Sequence, residues 1–335
     1  MATPTTAVKQ QSQTTIVQPA GIVRALRWPL FLLVLSVVTT AANGARFMAN
    51  FVANRPPIVS DSDLWPWPWI FEDPLRLLDG LSFALALLGI LLAHEIGHFL
   101  ACRAHKINST WPHVLPAPTL SGTAGAFIII RGRIPNRKAL LDVGIYGPLC
   151  GFVVCIPVLI LGLLLSQPAG DASAPAMVVF GEPLVIRLLH TGLQMMHMPV
   201  PGFYNLVPHP ILVAGWIGVF ITSLNLVPAG QLDGGHILYA ISPRLHAIST
   251  NVCTVALLLA GILHGGWIGW LLWGCFMMLP AMHHPRVPRE TSHGPGVTLM
   301  GLLALVMLIL CFIPRPFTLY ASPAPRSALM DYLER

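Results

Sequence analysis

Seven apolar runs, each near the ~17–25 residues that a helix needs to cross a lipid bilayer, fill most of this chain. They lie at about 28–52, 77–102, 143–166, 211–241, 247–263, 266–282 and 297–313. The fourth is interrupted at Pro228-Ala229-Gly230. Between the runs there is little charge: 10% of the 335 residues, against about 25% in a soluble domain. That composition cannot clothe a water-facing surface, and the mean hydropathy of +0.71 agrees. The fold class it predicts is an all-α polytopic membrane protein with about seven transmembrane helices. The net charge of +6 arises from scarce acids, 13 against 19 bases, and the bases form no stripe, so nucleic acid is not an expected partner.

The runs divide the chain into three parts. Residues 1–28, rich in Thr and Gln, read as a disordered tail; residues 29–314 read as a membrane core; residues 315–335 read as a short Pro-rich tail. The first run contains Ala41-Ala42-Asn43-Gly44-Ala45, which imitates a signal-peptide cleavage site, but the chain stays apolar through Phe51 and Val52 and a retained helix is expected. Segment 183–198 is apolar but short, and Arg187, His190 and His197 interrupt it, so it reads as an interfacial or re-entrant helix rather than a span. Basic residues favour a cytoplasmic N-terminus, with twelve in the loops then inside and seven outside. The gaps of about 40 and 45 residues around the third run are too short for a folded domain. All six cysteines lie in or beside apolar runs and read as small hydrophobes. The tryptophans of Trp65-Pro66-Trp67-Pro68-Trp69 suggest an interfacial anchor on the outer face.

A carboxylate inside an apolar run costs several kcal/mol and marks function by default. Glu95 and Asp233 are in that position; Asp79 and Asp142 sit at run ends. Glu95 belongs to His94-Glu95-Ile96-Gly97-His98, an H-E-x-x-H pattern. Positions four apart on a helix lie about 40° apart, so His94 and His98 offer two imidazoles to one metal ion. Glu95 then stands beside the ion, free to take a proton from its water. A catalytic zinc needs a third protein ligand. Asp233, His236 and the other histidines are candidates. Asp233 is the best of them, because it lies where the fourth run breaks and Gly234 and Gly235 allow close approach of another helix. Capping of the resumed helix is the competing role for Asp233.

H-E-x-x-H on an early membrane helix, with Asn225-Leu226-Val227-Pro228 and Leu232-Asp233-Gly234-Gly235 on a later one, resembles the site-2 proteases, a family of intramembrane zinc metalloproteases. The likeness runs from about residue 77 to 313, and the absence of internal PDZ and CBS modules resembles the minimal branch of ethylene-dependent gravitropism-deficient proteins and their bacterial relatives. The resemblance implies one Zn²⁺ per chain on His94, His98 and Asp233, Glu95 as general acid/base, and Asn225 near substrate backbone or the oxyanion. It implies a zinc endopeptidase that cuts a peptide bond in or near a transmembrane segment of a membrane-protein substrate.

Such a substrate must unwind before attack, and its bared backbone then needs new partners. The Pro/Gly-punctuated, then β-branched stretch from Pro116 to Ile130 reads as a re-entrant β-segment after the metal-binding helix, with Gly125, Ala126 and Phe127 as its substrate-binding edge. The small residues of Gly144-Ile145-Tyr146-Gly147-Pro148-Leu149-Cys150-Gly151 read as a helix-packing face. His283-His284 reads as connector, His105 and His113 as loop residues near headgroups, and His236 as either a support for Asp233 or a cap. Two other chemistries use the same ligands: a membrane metal-ion transporter, and an Fe(II) site for oxygen chemistry. The expected location is a bacterial cytoplasmic membrane, with a plastid membrane as the alternative, and an active site toward the cytoplasmic side.

Overall fold

The fold is taken from a computed structural model that describes residues 19–170, 176–263, 267–279, 282, 284–288 and 295–324. Its helices are α1 (Pro19–Val52), α2 (Asp61–Leu64), α3 (Trp67–Glu72), α4 (Leu81–Ala104), α5 (Arg137–Leu165), α6 (Leu184–Met195), α7 (Pro210–Asn225), α8 (Asp233–Ile241), α9 (Pro243–Ile262), α10 (Ile268–Met277) and α11 (Pro295–Cys311). Its strands are β1 (His113–Pro116), β2 (Thr123–Phe127), β3 (Gln167–Pro168), β4 (Ala176–Phe180), β5 (Leu206–Val207) and β6 (Phe317–Ala324).

Among the described residues, four helices are long and apolar enough to cross a membrane: α1 from Ala25, α4, α5 and α9. The other three expected spans are shorter, at 16 residues for α7, 10 for α10 and 17 for α11. At 1.5 Å per residue, α10 rises only about 15 Å, half of a hydrocarbon core. Helix α6 has 12 residues and buries Val185, Ile186 and Leu193 while Leu188 and Met195 stay exposed, as a helix lying along a surface would.

The ends of the chain depart from the sequence reading. Helix α1 starts at Pro19, so it takes in the last ten residues of the expected tail; proline suits a helix's first turn and nothing before Trp28 breaks it. Residues 1–18 lie outside the described residues. The expected Pro-rich tail contributes β6, which pairs antiparallel with β4 from Phe180↔Phe317 to Ala176↔Ala324. No local pattern in either segment announces that pairing.

The core lies where α1, α4, α5 and α7 meet, with Phe47, Phe83, Leu87, Leu159, Leu212 and Trp216 fully buried. The stretch 41–45 runs through α1 without interruption and packs on α4; a Cβ on Gly80 would collide with the Ala41 carbonyl. Helix α1 also holds the β1–β2 hairpin. Ser36 Oγ donates to the Val114 carbonyl at 3.2 Å, Thr39 Oγ1 to Gly122 O at 2.6 Å, and Asn43 Nδ2 to Thr119 O at 3.0 Å. Backbone groups in an apolar setting need such partners. Gly122, at φ +76°, turns the hairpin in a conformation that glycine adopts at least cost.

Outside the apolar helices, Arg46 of α1 meets buried Asp63 at 2.6 Å, and Trp69 lies between Arg46 (5.1 Å) and Arg76 (4.5 Å). Part of the tryptophan-rich segment is thus fixed to α1 by cation–π contacts, while Trp65 stays open to its surroundings.

Candidate metal centre

Helix α4 presents His94 and His98 one turn apart, as the spacing predicts, with ring centroids at 4.8 Å and Nε2 atoms at 3.0 Å. Helix α5 makes room for them. A Cβ on Gly147 would fall within the His98 imidazole, and a Cβ on Gly151 would press on His94 Cβ at 3.1 Å. On the α4 side, a Cβ on Gly97 would meet the Tyr146 carbonyl. The small-residue stretch of α5 is therefore a packing face, and what it packs against is the imidazole pair. His98 Nδ1 lies 2.7 Å from the Val143 carbonyl. A carbonyl only accepts, so Nδ1 carries the proton and the lone pair sits on Nε2, aimed at His94.

Asp233 comes from a break in the α7–α8 region. Helix α7 ends at Asn225, and Pro228 and Gly230 (φ +57°) turn the chain back into α8. The exposed backbone of the break is satisfied from α9. Ser249 Oγ donates to Pro228 O at 2.7 Å, His246 Nε2 donates to Gly230 O at 2.9 Å, and Gly230 N donates to Thr250 Oγ1 at 3.1 Å. Gly144 of α5 lies against the Asp233 carbonyl and the Cβ of His236. Leu232, not Asp233, is the N-cap of α8, so Asp233 does not serve as the cap. Its carboxylate reaches His94 Nε2 at 3.2 Å and His98 Nε2 at 3.4 Å. Asn225 Nδ2 is 3.4 Å from His94 Nε2.

Two imidazole nitrogens and a carboxylate thus converge with separations of 3.0, 3.2 and 3.4 Å. Ligands held tetrahedrally by zinc at ~2.0–2.1 Å stand about 3.3 Å apart, so this donor set fits the ion in both chemistry and spacing. His94 and Glu95 are 6% exposed and His98 8%, so water competes poorly for these groups. Glu95 lies close enough to group with both histidines, and the backbone of Ile128, just beyond β2, lies near its carboxylate.

One feature escaped the sequence reading: the contact of His236 Nδ1 with His284 Nε2 at 2.9 Å. His283 lies outside the described residues. His105 and His113 are more than loop residues: His105 pairs with Asp142 at 2.7 Å, and His113 stacks on Phe127. All six cysteines are free.

The family model described as "Peptidase family M50" matches residues 82–263, a span that includes both histidines of α4 and Asp233. The chain is 28% identical over 242 residues to a protein of Arabidopsis thaliana named "Probable zinc metalloprotease EGY1, chloroplastic", covering 70% of this chain and 43% of that one. It is 33% identical over 205 residues to the Oryza sativa subsp. japonica protein of the same name, covering 59% and 34%. It is 28% identical over 277 residues to "Probable zinc metalloprotease EGY2, chloroplastic" of Arabidopsis thaliana, covering 82% and 48%. The matched region thus spans less than half the length of each of these relatives.

Proposed function

This chain belongs to peptidase family M50, the site-2 proteases, and from that premise we propose that it is an intramembrane zinc endopeptidase that cuts a membrane protein in or near a spanning segment. It is an integral membrane protein of mostly helical build, and zinc is the metal its family implies. The observation that carries the proposal is the convergence within 3.4 Å of His94 and His98 on α4 with Asp233 on α8, 135 or more residues further along the chain, beside a buried Glu95. The transporter reading gains no support from the family, and the zinc metalloprotease relatives favour zinc over Fe(II).

His94, His98 and Asp233 would hold the zinc. When bound, zinc supplies Lewis acidity, which makes a nearby water a better proton donor and a nearby carbonyl a better electrophile. Glu95 takes the proton of the attacking water and returns it to the leaving amine. Asn225, at the end of α7, turns its amide toward the same centre and would donate to the substrate carbonyl oxygen. Val143 holds the His98 ring in place. Burial of the whole set keeps bulk water from the reacting atoms.

The β1–β2 hairpin would take the unwound substrate as a further strand. Successive residues of a strand turn their peptide groups to opposite edges. Thr110 N donates to Ile129 O and Arg131 N to Asn108 O, so those two face the partner segment. Ile128 and Ala126 then face outward, with Ile128 near Glu95. Of Gly125, Ala126 and Phe127, Ala126 would therefore present its backbone to substrate, while Gly125 and Phe127 shape the strand. The rest of the reading is also our inference: seven apolar passages with a re-entrant hairpin, residues 29–314 as one membrane core, and a centre toward the cytoplasmic side of a bacterial membrane, with a plastid membrane as the alternative. The chloroplastic relatives lend weight to that alternative.

The test is Glu95→Gln in the full chain, reconstituted with a membrane-protein substrate. Cleavage disappears while one zinc per chain remains. Normal cleavage by this variant refutes the assignment.

A further inference from the structure

Asp233 is the first residue of α8, a helix of nine residues. A helix that short is marginal on its own and takes its stability from what packs on it. The segment after α10 meets this part of the chain on both sides of the carboxylate. Before Asp233, Met282 covers Gly230: a Cβ there would lie 3.0 Å from Met282 Cε and 3.2 Å from its carbonyl oxygen. After it, His284 Nε2 faces His236 Nδ1 at 2.9 Å. The His284 ring also lies flat on Tyr239, with centroids 3.9 Å apart and planes within 9°. Val287 packs with the cluster that contains Leu226 and Ile237. We propose that this segment is a strap on α8 and that His284 is a positioning residue for Asp233. This role presupposes the zinc centre proposed above; His284 itself makes no bond to the ion.

The contact with His236 has a direction. His284 Nδ1 lies 2.7 Å from the Pro285 carbonyl, which only accepts, so Nδ1 carries the proton and Nε2 the lone pair. His236 Nδ1–H then donates to it. His236 and Tyr239 are three residues apart and neighbours on the surface of α8. His284 therefore grips the helix at two adjoining points and resists its turning. A helix with its side chains has a radius of about 5–6 Å, so a turn of about 10° carries a side-chain tip through about 1 Å. A metal bond tolerates about ±0.2 Å. A small rotation of α8 is enough to take the Asp233 carboxylate off the ion.

The experiment measures zinc affinity of the full chain in detergent against a competing chelator, beside the visible spectrum of the Co²⁺-loaded protein. His284→Ala should lower zinc affinity about tenfold, the low end of what lost support for a ligand costs. Its Co²⁺ spectrum should also differ from wild type, because the carboxylate has moved. His284→Phe keeps a flat ring for Tyr239 and loses the acceptor for His236, which guards against a failure to fold. Its zinc affinity should fall roughly threefold or more. Wild-type affinity in either variant overturns the proposal. So does a weaker affinity with an unchanged Co²⁺ spectrum, the mark of a general loosening. Wild-type protein that binds neither zinc nor cobalt refutes the zinc centre, and the strap's role with it.

Discussion

Adding one methyl group to α5, by Gly147→Ala, should empty the metal centre without touching a ligand. The new Cβ would sit 2.5 Å from His98 Cδ2 and closer still to its Nε2 and Cε1. Carbon atoms rest at about 3.5–4.0 Å, so the imidazole must retreat by about 1 Å. A zinc bond tolerates only about ±0.2 Å. His98 would therefore leave the ligand set, and the ring's bond to Val143 O, 2.7 Å long, would go with it. Loss of a supporting partner alone costs about 10–100-fold in metal affinity. With a ligand displaced as well, zinc should bind at least ~100-fold more weakly, close to 3 kcal/mol by the usual tenfold per 1.4 kcal/mol. Helix propensity pulls the other way, since alanine favours an α-helix by ~1 kcal/mol over glycine, so a general loss of helix cannot be the cause. Gly89→Ala is the matched control: its Cβ would meet nothing within 4 Å. Zinc retention against a competing chelator, with circular dichroism on both variants, reads the effect. Wild-type zinc affinity in Gly147→Ala would show that α5 does not confine His98.

Two further outcomes follow from the geometry. Asn225→Ala should keep its zinc but lose about 10²–10³-fold in kcat, as expected for a donor to the developing oxyanion; an unchanged kcat in single-turnover cleavage would remove Asn225 from the site. Burial pushes the Asp63 carboxyl up, but the Val59 amide, the Arg46 side chain and the Ser60 amide outweigh it and hold it below its ordinary 3.8. A depressed acid stabilises the fold above its unfolded value and loses that contribution as pH falls through the folded one. The thermal-stability gap between wild type and Asp63→Asn should therefore be full at pH 6 and close below about pH 3.8; a gap that stays constant down to pH 3 would contradict the ion pair's role.

What could be read from the chain alone was whatever depends on local spacing. His94 and His98 four apart, Glu95 beside them, and Asp233 at a proline-broken run each follow from helix geometry and the cost of charge in lipid. The small residues of α5 were legible as a packing face, though not what they face, because a glycine's neighbour is set by tertiary structure. Run length and helix length part at α10, where apolar residues continue past a ten-residue helix: composition reports solvent, while helix length requires unbroken hydrogen bonding. Pairings across long separations left no local trace. The β4–β6 ladder, the polar side chains of α1 on the hairpin, and the meeting of His236 with His284 all belong to that class.

The broken stretch before Asp233 hangs from α9, a helix whose other flank is given over to lipid. Leu245, Ile248, Val252, Val255, Leu259 and Ile262 point outward along it, while Ser249, Thr250 and His246 grip the kink. The Asp233 carboxylate is thus suspended from a helix long and apolar enough to cross a membrane. A change of bilayer thickness that tilts α9 should therefore move Asp233, and turnover compared in short- and long-chain lipids reads that effect; equal turnover in both would show that α9 does not transmit it.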